Sequence, residues 1–222
     1  MVKPRIPEGG AIVDDDQTSA EEYSAIMKKV LKKEYLELVQ KVTNELCPPE
    51  GSRVLEIGPG PGWIGIWLAR ARPDLQVTGL EPSADMRRVA AQNAIDEGVA
   101  DSVHYIDGFV ENMEIFPDES FDVVISNGSL HHWENPKKGF QEIARVGKST
   151  GKIFIQDNRR DYGLGGKIIL HVFGPVMAGK MYKGWTNSLN ASYTPEEVRQ
   201  FLAEINVNWT ITTDVMELAI QN

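Results

Sequence analysis

The sequence contains one cysteine, no long apolar run and no surplus of positive charge. A single thiol, Cys47, cannot close an internal disulfide, so a disulfide-stapled scaffold is excluded and the fold must rest on its core. The most apolar stretch, Lys167 to Gly179 (KIILHVFGPVMAG), is short and interrupted by histidine, proline and glycine, so no membrane-spanning helix is expected. The opening MVKPRIPEGGAIVDDDQ lacks the apolar centre of a signal peptide and, with the lone cysteine, points to the cytoplasm. Lysine and arginine number 23 against 32 acids, a formal net charge of −9, and they gather into no stripe. A phosphate-gripping nucleic-acid face is therefore not expected.

What is present is 222 residues, 41% of them hydrophobic, enough for one large domain with a full core. Residues 1–17, with Pro4, Pro7, Gly9, Gly10 and Asp14 to Asp16, have no apolar period and read as a flexible lead-in to a single domain over 18–222. Across 18–46, Ile26, Val30, Leu31, Tyr35, Leu38, Val39 and Val42 recur at three and four, which predicts a helical segment ended by Pro48 to Gly51. Short apolar runs then alternate with helical patterns. This rhythm predicts an α/β, doubly wound parallel sheet with helices on both faces. Helix starts are marked by Ser83, by Asn135 before Pro136, and by Thr194-Pro195-Glu196-Glu197, which has the form of a capping box. The ending WTITTDVMELAIQN holds two β-rich pieces that should pair antiparallel at the sheet edge.

The densest local signal is VLEIGPGPG, Val54 to Gly62, where three glycines and two prolines follow an apolar run. In a doubly wound sheet, ligands gather beyond the carboxyl ends of the strands, where glycine lets backbone approach them. The dinucleotide fingerprint is matched by Gly58 and Gly60, but Trp63 occupies its third small position. No Gly-Lys-Ser/Thr follows, as a phosphate loop requires. Instead Glu56 precedes the glycines, a carboxylate suited to a cationic or hydroxyl-bearing ligand. Glu81 ends the next strand, where it can accept from both hydroxyls of a ribose. Asp107 ends the one after, beside Gly108 and Phe109, placed to accept from an exocyclic amine next to an apolar ring. Three acids at successive strand ends behind a Gly-x-Gly-x-Gly loop indicate an adenine nucleoside with a positive charge.

On these residues the chain resembles the class I S-adenosylmethionine-dependent methyltransferases. VLEIGPGPGWIG is similar to their first motif and GLEPSADM to their second. DGFVENM with FPDESFDVVISNGSLHHWENP matches the middle motifs, and QEIARVGKSTGKIFIQD the region of the fifth strand. The SLHHW run is most similar to the small-molecule branch that includes quinone and sterol-type C-methyltransferases. The resemblance implies a seven-stranded Rossmann-like sheet of order 3-2-1-4-5-7-6 with strand 7 antiparallel. It also implies in-line methyl transfer from S-adenosylmethionine to a small-molecule acceptor, leaving S-adenosylhomocysteine. By the same resemblance, Gly58 and Gly60 lie against the methionine part, with Glu56 near its ammonium. Met86 lines the adenine pocket, and Asn127 and Gly128 offer backbone near the sulfonium. One departure is ARVGKSTGK, where relatives carry a leucine and a Pro-Gly turn.

Around the acceptor, His131 is a candidate general base, because a neutral imidazole can take a proton as the acceptor attacks. The alternative is that the histidine pair only packs the loop after the fourth strand. His132, Asp157, Arg160 and Tyr193 are candidate acceptor contacts, although the charge run Asp157 to Asp161 also reads as a solvated turn. No metal site is expected, since Asn127 stands where metal-dependent catechol-type relatives place an acid. Cys47 reads as a small buried or helix-end residue. Residues 161–193 leave the alternating rhythm and form a candidate substrate lid, or else an extra core hairpin. Two other functions stay open: a non-catalytic S-adenosylmethionine-binding partner subunit and an NAD(P)-dependent oxidoreductase.

Overall fold

The computed structural model describes residues 4–7 and 19–222. The acidic triplet at Asp14 to Asp16 and the expected helix start at Thr18 lie outside the described residues. The seven strands are β1 (Arg53–Ile57), β2 (Gln76–Leu80), β3 (Val103–Ile106), β4 (Phe121–Asn127), β5 (Gly147–Asn158), β6 (Thr210–Thr213) and β7 (Glu217–Gln221). They lie in the order β3-β2-β1-β4-β5-β7-β6. β1 to β5 pair in parallel, and β7 runs antiparallel between β5 and β6. This is the topology implied by the motifs.

The helices are α1 (Ala20–Val30), α2 (Lys32–Lys41), α3 (Trp63–Ala71), α4 (Ala84–Asp96), α5 (Pro136–Val146), α6 (Leu164–Ile168), α7 (Gly174–Ala178), α8 (Tyr182–Ala191) and α9 (Pro195–Glu204). Side chains alternate across the sheet, so neighbours in one strand enter different cores. Leu55, Ile57, Val124 and Ile155 pack with Phe140 and Ile143 of α5 and with Val198 and Leu202 of α9. Val54, Val123, Ile125 and Phe154 face the other way, against Ile66 and Leu68 of α3 and Leu38 and Val39 of α2. Truncating such a residue, Leu55→Ala for example, removes about 2–5 kcal/mol of stability.

The three marked helix starts are capped as their sequences predict. Ser83 Oγ accepts from Met86 N, and Asn135 Oδ1 from Lys138 N. At Thr194 both halves of the capping box form, with Glu197 N donating to Thr194 Oγ1 and Thr194 N donating to Glu197 Oε2. The helical stripe over 18–46 is not one helix. It breaks at Leu31 into α1 and α2, and α2 runs on through a π-helical turn, Val42–Leu46. Cys47, exposed and with φ +47°, ends it in the left-handed region before Pro48.

Candidate active site

At the carboxyl end of β1 the chain turns through Gly58, Gly60 and Gly62, all with positive φ. They need glycine for different reasons. A Cβ on Gly58 would lie 2.5 Å from Ser129 Cβ, and one on Gly62 would lie 2.1 Å from Tyr105 Oη. These two permit close packing of the loop on its neighbours. A Cβ on Gly60, or on Gly128 (φ +67°) just beyond β4, would meet nothing within 4 Å. These two border open space at the rim of the sheet, on either side of the β1–β4 junction. Buried serines hold that junction: Ser126 Oγ donates to Ile57 O at 3.0 Å and lies 2.8 Å from Ser129 Oγ, which accepts from Trp133 Nε1.

Glu81, just past β2, is buried with both oxygens engaged by backbone. Oε2 accepts from Gly60 N at 3.0 Å and Oε1 from Ser83 N at 2.9 Å. Burial raises its pKa, and the two N–H groups oppose that rise. A carboxylate has about four acceptor positions, so each oxygen retains one. Glu56 points beneath α3, where Oε2 accepts from Gly65 N at 3.0 Å and so serves a helix whose N-cap, Gly62, has no side chain. Its complete burial pushes its pKa up to about 8, with the Gly65 N–H opposing and Glu81 adding a little. Asp107 is exposed and paired with Arg87 Nη1 at 2.8 Å, and the same nitrogen donates to Glu81 O. Phe109 leaves 61% of its surface exposed at the same rim, whereas Met86 is fully buried in the small core between α1 and α4. Gly108 packs on Leu80, where a Cβ would come within 2.7 Å of Cδ1.

Trp63, the residue in the fingerprint's third position, explains itself here. Its indole N–H donates to Ser24 O and Oγ, which fastens α1 over the first turn of α3.

Beyond Asn127 and Gly128 the chain makes a short 3-10 turn, Leu130–His132. Because β4 and β5 are paired neighbours, their carboxyl ends bring His131 and Asp157 together. His131 Nδ1 lies 2.8 Å from Asp157 Oδ1, and His131 N donates to Oδ2 at 2.9 Å. The carboxylate selects the tautomer with its proton on Nδ1 and leaves Nε2 as the basic nitrogen. His131 itself is only 4% exposed. The ring of His132 lies 4.0 Å from that of His131, centroid to centroid. Desolvation, with help from His131 and Arg5, pushes the His132 pKa down to about 4, so it is neutral near pH 7.

The charge run after β5 is not a solvated turn. Asp157 is buried, Arg159 pairs with Asp161, and Arg160 forks onto Glu197 while donating to Ser192 O. Tyr193 is buried, and its hydroxyl donates to Trp133 O. Arg5 lies in the expected lead-in, yet it is seated on this side of the site. It donates to Ala191 O and to His131 O, and its guanidinium lies 4.2 Å above the Tyr193 ring. Ile6 N donates to Asn190 O. Sequence reasoning missed Arg5 and Arg87. Neither belongs to a pattern, and Arg5 bonds to residues 126 and 186 positions away. Among the described residues, no group of three or more histidines, cysteines or acids could hold a metal ion.

Residues 55–155 match the family described as methyltransferase domain. The methyltransferase YcgJ of Bacillus subtilis, itself uncharacterised, is 33% identical over 106 residues, which are 48% of this chain and 40% of that protein. A ubiquinone biosynthesis O-methyltransferase of Klebsiella pneumoniae is 28% identical over 67% of this chain and 58% of its own length. The chain thus spans about half the length of these curated relatives. Among solved structures, a protein of Methanococcus maripaludis assigned as an S-adenosyl-L-methionine-dependent methyltransferase superposes with a TM-score of 0.73 at 25% identity. That superposition covers 91% of this chain and 90% of that one.

Proposed function

We propose that this protein, which carries a class I S-adenosylmethionine-dependent methyltransferase domain, moves the methyl group of that cofactor onto a small-molecule acceptor. The observation that carries the reading is the Glu81 carboxylate, tied to Gly60 N and Ser83 N beside the open space at Gly60 and Gly128. That cradle fits the cofactor, whose sulfonium supplies a methyl carbon open to in-line attack, with S-adenosylhomocysteine as the product.

The chain's own residues then have separate tasks. Glu81 offers its two remaining acceptor positions to the ribose hydroxyls. Gly58 and Gly60 leave room at the backbone for the methionine part, and Glu56, held largely protonated near pH 7 by its burial, takes up negative charge as the ammonium approaches it. Asp107, Gly108 and Phe109 form the adenine side, backed by Met86 from the small core between α1 and α4, with Asn127 and Gly128 near the reacting carbon. Most of the rate comes from alignment and exclusion of water. His131 takes the proton of an acceptor hydroxyl or amine at Nε2 while the new bond to the methyl carbon forms and the carbon–sulfur bond breaks. Asp157 holds the imidazole in the required tautomer. His132, Arg160 and Tyr193 shape the acceptor wall, and residues 161–193 form its lid on a domain running over 18–222. The proton-taking pair favours methylation of oxygen over the carbon methylation suggested by the SLHHW run, in keeping with the name of the K. pneumoniae relative.

Transfer of labelled methyl from S-adenosylmethionine to a panel of phenols and hydroxyquinones tests the reading. His131→Asn should lower turnover by about 10²- to 10⁴-fold with unchanged affinity for S-adenosylhomocysteine. The low exposure of His131 favours a second reading, in which the His131–Asp157 pair only ties the turn after β4 to β5. In that case His131→Asn lowers the melting temperature and leaves the pH–rate profile unmoved.

A further inference from the structure

From Tyr162 to Pro195 the sequence has no aspartate or glutamate, in a chain with 32 acids. It carries Lys167, Lys180 and Lys183 instead. The first half of this stretch is a helical run from Leu164 to Ala178, with α6 and α7 joined through a π-helical turn at Ile169–Phe173. One side of the run is fixed to the protein. Leu170 packs into a small core with Leu189 and Met216, ringed by Tyr162, Tyr182 and Trp185. Gly166 comes so close to Tyr162 that a Cβ would collide with it and press on Met216.

The other side is apolar and, among the described residues, uncovered. Leu164 is 75% exposed, Val172 62% and Val176 87%, with Ile168 and Phe173 about half exposed. Leu164, Ile168, Val172 and Val176 follow one another at intervals of four, which sets them in a row along the helix. The wider π turn in the middle slows the drift of such a row around the axis. Scattered apolar residues are ordinary on a surface, whereas an ordered row marks a docking face.

We propose that this row docks on the surface of an anionic lipid bilayer, with α6 and α7 lying in the interfacial layer. An apolar helix side within an acid-free, lysine-bearing stretch is the pattern of an in-plane interfacial helix. Charge sets the orientation. The molecule as a whole is at −9 and is repelled by anionic headgroups, while the segment from Tyr162 to Pro195 is the part they attract. A second copy fits less well, because a two-fold contact through this row sets the lysine-bearing segment against itself. Docking also gives the lid a purpose. α8 carries the same segment on to Ala191, whose carbonyl shares Arg5 with that of His131, so the docked segment is tied by hydrogen bonds to the acceptor side of the site. The inference goes beyond methyl transfer and does not depend on it.

Co-sedimentation of the full chain with phosphatidylcholine vesicles, with and without phosphatidylglycerol, tests it without any turnover. Binding is expected only to the phosphatidylglycerol vesicles and should weaken as salt rises. Val176→Asp, at a position too exposed to threaten folding, should abolish sedimentation, and Lys167→Glu should weaken it by roughly fivefold or more. Circular dichroism melts of both variants should match the parent. The proposal is overturned if the parent stays in the supernatant with anionic vesicles, or if Val176→Asp sediments as the parent does. It is equally overturned if Val176→Asp converts a dimer to a monomer in a protein that never binds vesicles.

Discussion

The proposed cofactor side and the proposed acceptor side of this site are made of different materials. Toward the cofactor, the shape comes from backbone: three positive-φ glycines in five residues, and main-chain N–H groups holding Glu81 and Glu56. Toward the acceptor, it comes from side chains of separate segments: Arg5, His131, Asp157 and Arg160, joined across the ends of β4, β5 and α8. A backbone-built cradle depends on local sequence and tolerates little change. A side-chain assembly can be altered one contact at a time, which suits the part of an enzyme that selects its substrate.

The sharpest way to break this comparison is Glu81→Ala. It leaves Gly60 N and Ser83 N without their acceptor, removes the proposed ribose contact, and should cost roughly 100-fold or more in cofactor affinity by calorimetry. Gly58→Ala comes next. Its Cβ meets Ser129 at 2.5 Å on a residue at φ +64°, so about 2–4 kcal/mol of stability should be lost in denaturant titration.

A third effect is visible only against pH. Burial pushes the Glu56 pKa to about 8 in the folded chain, against an ordinary value of 4.5, so the folded state binds the extra proton between those values. Its contribution to stability should therefore be fully present below about 4.5 and be lost as pH rises through 8, by several kcal/mol in total. Glu56→Gln should flatten that decline in melts taken across the range. His132 acts in the opposite sense. Pushed down to about 4, it makes stability fall as pH drops from 6.5 toward 4. Gly128→Ala should have the smallest effect. It has φ +67° but open space around its Cβ, so about 1–2 kcal/mol of strain is expected, with a modest loss of cofactor affinity.

The same contrast explains what could be read from the sequence. Ser83, Asn135 and Thr194 announced their helices because a cap is a bond between residues three apart. The glycine loop and Glu81 were legible because strand ends in a doubly wound sheet lie where the alternating pattern puts them. The break at Leu31 was not, since the stripe continues through it without glycine or proline. His131 and Asp157 were each singled out, but their pairing across β4 and β5 had no local trace. Asp107, read as an acceptor for an amine, also holds Arg87, a partner that no local pattern announces. Arg5 sits in a stretch without apolar period, and only the fold brings it to His131.

Calorimetric titration with S-adenosylmethionine, S-adenosylhomocysteine and NADH, on the parent chain and on Glu81→Ala, tests the central claim most directly. Micromolar binding of the first two, lost in the variant and absent for NADH, is the predicted result. Failure of either adenosyl ligand to bind, or binding of NADH alone, would contradict it.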